Sequence, residues 1–103
     1  MVKEVTSYDE LLNHMTNSSR KIVVDFYADW CGPCKTINPT LYELEQKYKN
    51  ILFLKVNIEK VNTKDISSLP TFRFYMNGKK MSEILGADPN KLKKEVENLN
   101  NKN

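Results

Sequence analysis

Two cysteines three positions apart are the residues best suited to do chemistry in this 103-residue chain. Cys31 and Cys34 enclose Gly32 and Pro33, and Trp30 precedes them. A thiol attacks a disulfide as the thiolate. Cys31 follows a run of strand-forming residues and stands just before a helical pattern. It therefore meets the unpaired amide donors and partial positive charge of a helix N-terminus. Both favour the thiolate and draw the thiol below its ordinary pKa of about 8.5. Gly32 and Pro33 suit a tight turn into that helix, with Pro33 near its first position. Cys34 then lies one helical turn further on, facing back toward Cys31, close enough to close a short disulfide ring. The chemistry expected is two-step. Cys31 attacks a disulfide and forms a mixed disulfide; Cys34 attacks that sulfur, releases the reduced substrate and leaves an oxidised pair.

Other uses of the pair are weaker. Two buried thiols without a role would be a chance pairing, and the Gly-Pro between them speaks against that. A zinc site normally takes four ligands. Only His14 is left as a nitrogen ligand, so carboxylates would have to complete the set, and no metal is expected.

The elements that must position the pair are legible around it. Val2–Val5 can start a short strand. Ser7 and Glu10 read as a capping box before Tyr8, Leu11, Leu12 and Met15, which have helical spacing, and Asn17-Ser18-Ser19 ends that helix. Residues 21–28 form a nearly continuous apolar run, as in a central strand covered on both faces, interrupted by Asp25. An aspartate there is costly unless partnered. After Cys34, Ile37, Leu41, Leu44 and Tyr48 share a helical face, and Pro39 inside the pattern predicts a kink. Ile51–Asn57 is another apolar strand, and residues 58–69 are polar with weak periodicity. Thr71–Met76 alternates Phe72, Phe74 and Met76 against Thr71, Arg73 and Tyr75. Asn77-Gly78 supplies a type I′ hairpin turn, and Lys79–Leu85 returns as the last strand, broken by Gly86. Asp88 and Pro89 are a cap and first-turn signal. Leu92, Val96 and Leu99 are the inner face of a final helix, and Asn100 to Asn103 should fray. The order is that of an α/β fold: a βαβαβ half with parallel strands, then a ββα half with an antiparallel pair, in one domain over residues 1–103.

The totals exclude several classes. A net charge of +3 with Lys and Arg scattered along the chain is not the clustered basic face of a nucleic-acid reader. No stretch approaches the length of a membrane span. The first twenty residues carry Lys3, Glu4, Asp9, Glu10 and His14, which is neither a secretory signal nor a transit peptide, and a cytoplasmic location is expected.

Trp30-Cys31-Gly32-Pro33-Cys34 following Val-Val-Asp-Phe-Tyr-Ala-Asp resembles the thioredoxin family's signature, and the likeness runs almost end to end. It implies a mixed central sheet flanked by helices and a protein-disulfide reductase regenerated by thioredoxin reductase. NADPH would be used only indirectly, since the chain has no dinucleotide fingerprint, and the redox disulfide Cys31–Cys34 would take the place of a bound cofactor. Peroxidases and reductases would be its targets, and it would act as a monomer. It implies that Asp25 is a buried proton acceptor for Cys34, acting through water, with Lys55 as its partner. Without the family, Lys55 reads equally as a strand lysine whose head reaches water. Ser68-Leu69-Pro70-Thr71-Phe72 resembles the cis-proline loop, so that the Leu69 backbone would pair with an extended substrate segment and Pro70 would lie beside the sulfurs. Trp30, Gly32, Pro33 and the Gly86-Ala87 step would be further walls of the substrate surface. Asp29 departs from the usual glutamate or proline. Ile58–Leu69 is shorter than in most members, which predicts a third helix shrunk to a turn or a single helical turn and an altered choice of partners. A specialised oxidoreductase on the same fold, or a binding module using the pair as a redox switch, fits the same residues.

Overall fold

The computed structural model describes residues 2–17 and 19–103. Five strands, β1 (Lys3–Val5), β2 (Lys21–Tyr27), β3 (Ile51–Asn57), β4 (Thr71–Met76) and β5 (Lys79–Leu85), form one sheet in the order β1-β3-β2-β4-β5. β1, β3 and β2 run parallel, and β4 and β5 are antiparallel to their neighbours. The apolar run at 21–28 becomes the middle strand, with Ile22, Val23, Val24, Asp25 and Phe26 all buried.

The period of two in each strand divides the core. Val23, Phe53, Phe72 and Phe74 face one side, where helices α3 (Asn38–Lys47) and α4 (Pro89–Asn100) bring Leu41, Leu44, Leu92, Val96 and Leu99 onto them. Ile22, Val24, Phe26, Leu54 and Tyr75 face the other side, under Leu11 of helix α1 (Tyr8–Asn17) and Val61 of the connection after β3. The α1 cap forms with one change of partner. The Glu10 N–H donates to Ser7 Oγ at 3.0 Å, whereas Glu10 Oε1 accepts from the Thr6 N–H, not from that of Ser7. The helix runs to Asn17; Ser18, expected in its ending, lies outside the described residues.

The kink expected at Pro39 is a full break. A short helix α2 (Gly32–Thr36) ends at Ile37, which also opens α3. Proline at the second position of α3 has no N–H to give to the preceding turn. Asn77 and Gly78 both have positive φ, 54° and 79°, as a type I′ turn requires. One residue of β5 bulges between the pairs Phe74–Ser82 and Tyr75–Lys80.

Residues 58–69 contain no helix. Asn57 Oδ1 accepts from the Glu59 N–H at 2.9 Å, and its carbonyl accepts from Lys60 and Val61, which closes one turn. Among the described residues of this stretch, Val61, Ile58 and Ile66 pack under α1 and Leu69 packs against the cysteine pair. That is too sparse a stripe to bury a helix face. α4 ends at Asn100, and residues 101–103 are exposed and outside the helix. Lys21 Nζ donates to the carbonyls of Asn100, at 2.7 Å, and Lys102, at 2.5 Å, and so ties the C-terminus of α4 to β2. No helix among the described residues is long and apolar enough to cross a membrane.

Candidate active site around the cysteine pair

β2 delivers the chain to the site and α2 takes it away. Cys31 is the N-cap of α2 in extended conformation, with φ −82° and ψ 107°. An N-cap side chain normally accepts from the first turn. Here the acceptor is sulfur: the Cys34 N–H donates to Cys31 Sγ at 3.2 Å. Cys31 and Cys34 are joined as a disulfide with Cα atoms 5.3 Å apart. Both are buried, and with Ala28 they form a small cluster against Tyr27, Ile58 and Leu69. In the dithiol form the same N–H would stabilise a Cys31 thiolate. Among the described residues, no group of three or more His, Cys, Asp or Glu side chains could hold a metal ion.

A groove of about 430 Å³ runs past the disulfide, lined by Trp30, Cys31, Gly32, Pro33, Ile58, Ile66, Ser67 and Leu69. Trp30 is 68% exposed, an open wall and not a core residue. The Leu69–Pro70 bond is cis, as the family resemblance implies. Pro70 is buried and, like Gly86, is not among the residues lining the groove; its carbonyl accepts from the Gly86 N–H at 2.8 Å. This bond draws Gly86 (φ 96°) to the cis-proline loop. Ala87 does not line the groove; it packs against the core beneath α4. Ile58, Ile66 and Ser67 are groove residues that the sequence reading passed over. Their signal was two isoleucines flanking a polar stretch next to the proline loop.

A second cavity, about 240 Å³, opens on the other side of α2 and is lined by Tyr27, Ala28, Asp29, Cys34, Lys35, Asn38 and Lys55. Asp25 lies inside the sheet, fully buried, and neither carboxylate oxygen has a hydrogen-bond partner. Burial pushes its pKa up to about 7, against the pull of the Lys55 charge and with a smaller push from Glu4. Lys55 is its register neighbour on β3 but does not bond to it. The Lys55 amine donates to Asn38 Oδ1 at 3.3 Å and Tyr42 Oη at 3.4 Å, and lies 4.4 Å from the centre of the Tyr27 ring. The pairing implied by the resemblance is therefore a charge acting through space.

A strand-to-helix corner that caps its own helix with a disulfide sulfur, beside a substrate-sized groove, defines a dithiol–disulfide oxidoreductase. The comparisons name the family. The thioredoxin family model matches residues 1–98. Thioredoxin-3 of Dictyostelium discoideum is 43% identical over 100 residues, covering 93% of this chain and 94% of the relative. The thioredoxin of Ovis aries is 38% identical over 106 residues, covering 96% and 99%. The solved thioredoxin of Plasmodium falciparum superposes with a TM-score of 0.88 at 38% identity, covering 94% of this chain and 98% of that one. The chain belongs to the thioredoxin family, whose members are disulfide oxidoreductases, and it carries the family's redox-active cysteine pair.

Proposed function

We propose that the protein reduces disulfides of other proteins, with Cys31 as nucleophile and Cys34 as resolving thiol. The observation that carries this is the Cys31 sulfur as N-cap acceptor at the mouth of the groove. The Cys31 thiolate attacks one sulfur of the substrate disulfide. The S–S bond breaks, and the leaving sulfur departs as thiolate and takes up a proton. Cys34 gives its proton to Asp25 through water and attacks Cys31 Sγ. The substrate leaves with two thiols and the protein keeps the two-electron oxidised pair. An Asp25 carboxyl held near neutrality can both accept and return that proton. Lys55 moderates it by charge. Trp30, Gly32, Pro33 and Leu69 hold the extended substrate segment, and Pro70 and Gly86 fix the loop behind it.

Electrons come back from NADPH through a thioredoxin reductase. The targets are disulfide-bearing proteins such as peroxidases and reductases, met as a monomer in the cytoplasm. The loss of a helix from 58–69 favours a specialised choice among these partners, because that segment forms one wall of the groove.

The test is reduction of insulin disulfides with NADPH and a thioredoxin reductase, in parallel with dithiothreitol, against Cys31→Ser. Turnover with both reductants that vanishes in Cys31→Ser is expected of a general thioredoxin. Turnover with dithiothreitol alone keeps the dithiol chemistry and assigns the short segment to partner choice. Inactivity with both refutes the disulfide-reductase reading.

A further inference from the structure

A row of charges crosses the sheet beneath α3. Glu4 of β1 stands opposite Lys55 of β3, and Lys55 stands opposite Asp25 of β2. Their sequence neighbours Val5, Leu54 and Val24 face the opposite core, so the three side chains share one face. A lysine between two carboxylates would ordinarily pair with one of them. Here it bonds to neither. Its ammonium is held between the rings of Tyr27, at 4.4 Å, and Tyr42, at 5.6 Å, with Asn38 Oδ1 as acceptor. Tyr27 also reaches past it: the Tyr27 hydroxyl donates to Glu4 Oε1 at 2.7 Å. The Glu4 carboxylate is thus held on a phenol, on the far side of the lysine from Asp25.

We propose that Glu4 and Tyr27 are positioning residues for Asp25: the Tyr27 hydroxyl keeps the Glu4 carboxylate off Lys55, so that the ammonium still faces Asp25 when the Cys34 proton arrives. The inference rests on the reading of Asp25 as acceptor of that proton. The charged or titratable groups on this side are Glu4 from β1, Lys55 from β3, Tyr27 from β2 with Asp29 just beyond it, Cys34 and Lys35 from α2, and Tyr42 from α3. β4 turns Phe72 inward, and α4 turns Leu92, Val96 and Leu99 inward. Of the carboxylates here, Glu4 is the one that the Tyr27 hydroxyl holds.

Glu4→Gln removes a negative charge two strands, ~10 Å, from Asp25, and is expected to lower the Asp25 titration midpoint by about half a pH unit. Tyr27→Phe keeps the ring and releases Glu4 onto Lys55, which partly neutralises the ammonium and raises the midpoint by a similar amount. In the Glu4→Gln/Tyr27→Phe double variant the second change then adds nothing. The midpoints are read from the carboxyl carbon resonance of Asp25 in the oxidised protein, with the amide spectrum checking that each variant is folded. The pH midpoint of dithiothreitol-driven insulin reduction should follow the same order. An unchanged midpoint in Glu4→Gln, or a Tyr27→Phe shift that survives in the double variant, overturns the proposal. The carboxyl titration does not depend on turnover. Midpoints that move as stated in a protein that cleaves no insulin disulfide sustain the positioning and overturn only the reductase reading; unmoved midpoints in an active protein overturn the positioning alone.

Discussion

Asp25→Asn keeps the shape of a fully buried side chain and deletes its charge. The carboxyl titrates at about 7 in the folded protein against 3.8 for the ordinary group. Below about pH 3.8 both states are protonated and the carboxyl costs nothing. As pH rises from there to about 7, the unfolded chain releases a proton that the folded one keeps, so stability falls. Above that window the loss is complete and amounts to about 4 kcal/mol, at 1.36 kcal/mol for each pH unit between the two values. Asparagine has no such window. Its amide inherits a site without hydrogen-bond partners and costs about 1–2 kcal/mol, but equally at every pH. The advantage of Asp25→Asn over the parent is therefore expected to grow by about 4 kcal/mol between roughly pH 4 and pH 9. Glu10 and Asp65, whose carboxyls are held below their usual range by hydrogen bonds from Thr6 and Arg73, lose their contribution in acid in both proteins and cancel. The assay is urea unfolding of the oxidised proteins across that range. A difference between them that does not vary with pH would show that the carboxyl is not held protonated by burial, and would remove the basis for the proposed proton acceptor.

Arg73 joins the short connection to the sheet, bonding Glu83 at 2.6 Å and Asp65 at 2.9 Å while its guanidinium lies over Phe26. Arg73→Ala is expected to cost about 1–3 kcal/mol and to open residues 61–66 to limited proteolysis, with an uncut parent under the same conditions; equal resistance in the two proteins would contradict that anchoring. Asp88 caps α4 by accepting from the Asn90 and Lys91 N–H groups. Asp88→Ala should lower stability by about 1 kcal/mol, which is a fall in melting temperature of roughly 4–8 °C for a domain of this size, with dithiothreitol-driven insulin reduction unchanged.

The strands and most of the helices were legible because their patterns are local. The run at 21–28 has no polar alternation, and it became the strand with neighbours on both edges and cover on both faces. The Asn77-Gly78 turn, the Asp88-Pro89 start and the Cys31 helix corner each depend on a few adjacent residues. What was not legible depends on residues far apart in sequence. The tie from Lys21 to the last turn of α4 spans 79 positions, and no pattern at either end announces it. The place of the Lys55 amine depends on Asn38 and Tyr42 of α3 and on the Glu4–Tyr27 bond, which spans 23 positions. Only the register of β1, β3 and β2 brings these groups into one row. The groove wall at Ile58, Ile66 and Ser67 was hidden for another reason. With no periodicity, a segment says little about which side chains turn toward a neighbour.

The connection at 58–69 and the buried carboxyl lie on different sides of the sheet. Between α1 and residues 62–65 of this connection a hollow of about 560 Å³ is lined by Tyr8, Leu11, Met15, Phe26, Arg73 and Tyr75. That is the face opposite α3 and α4, whereas Asp25, Lys55 and the second cavity lie on the α3 side. The connection therefore supplies one wall of the groove through Ile58, Ile66 and Ser67, on a different side of the sheet from the row Glu4–Lys55–Asp25. A penalty of about 4 kcal/mol is a large fraction of the 5–15 kcal/mol that holds a domain together. A sequence selected for stability alone would replace Asp25. Its presence in the middle strand, two residues before the chain turns toward the cysteine pair, is explained if the proton it holds is used there.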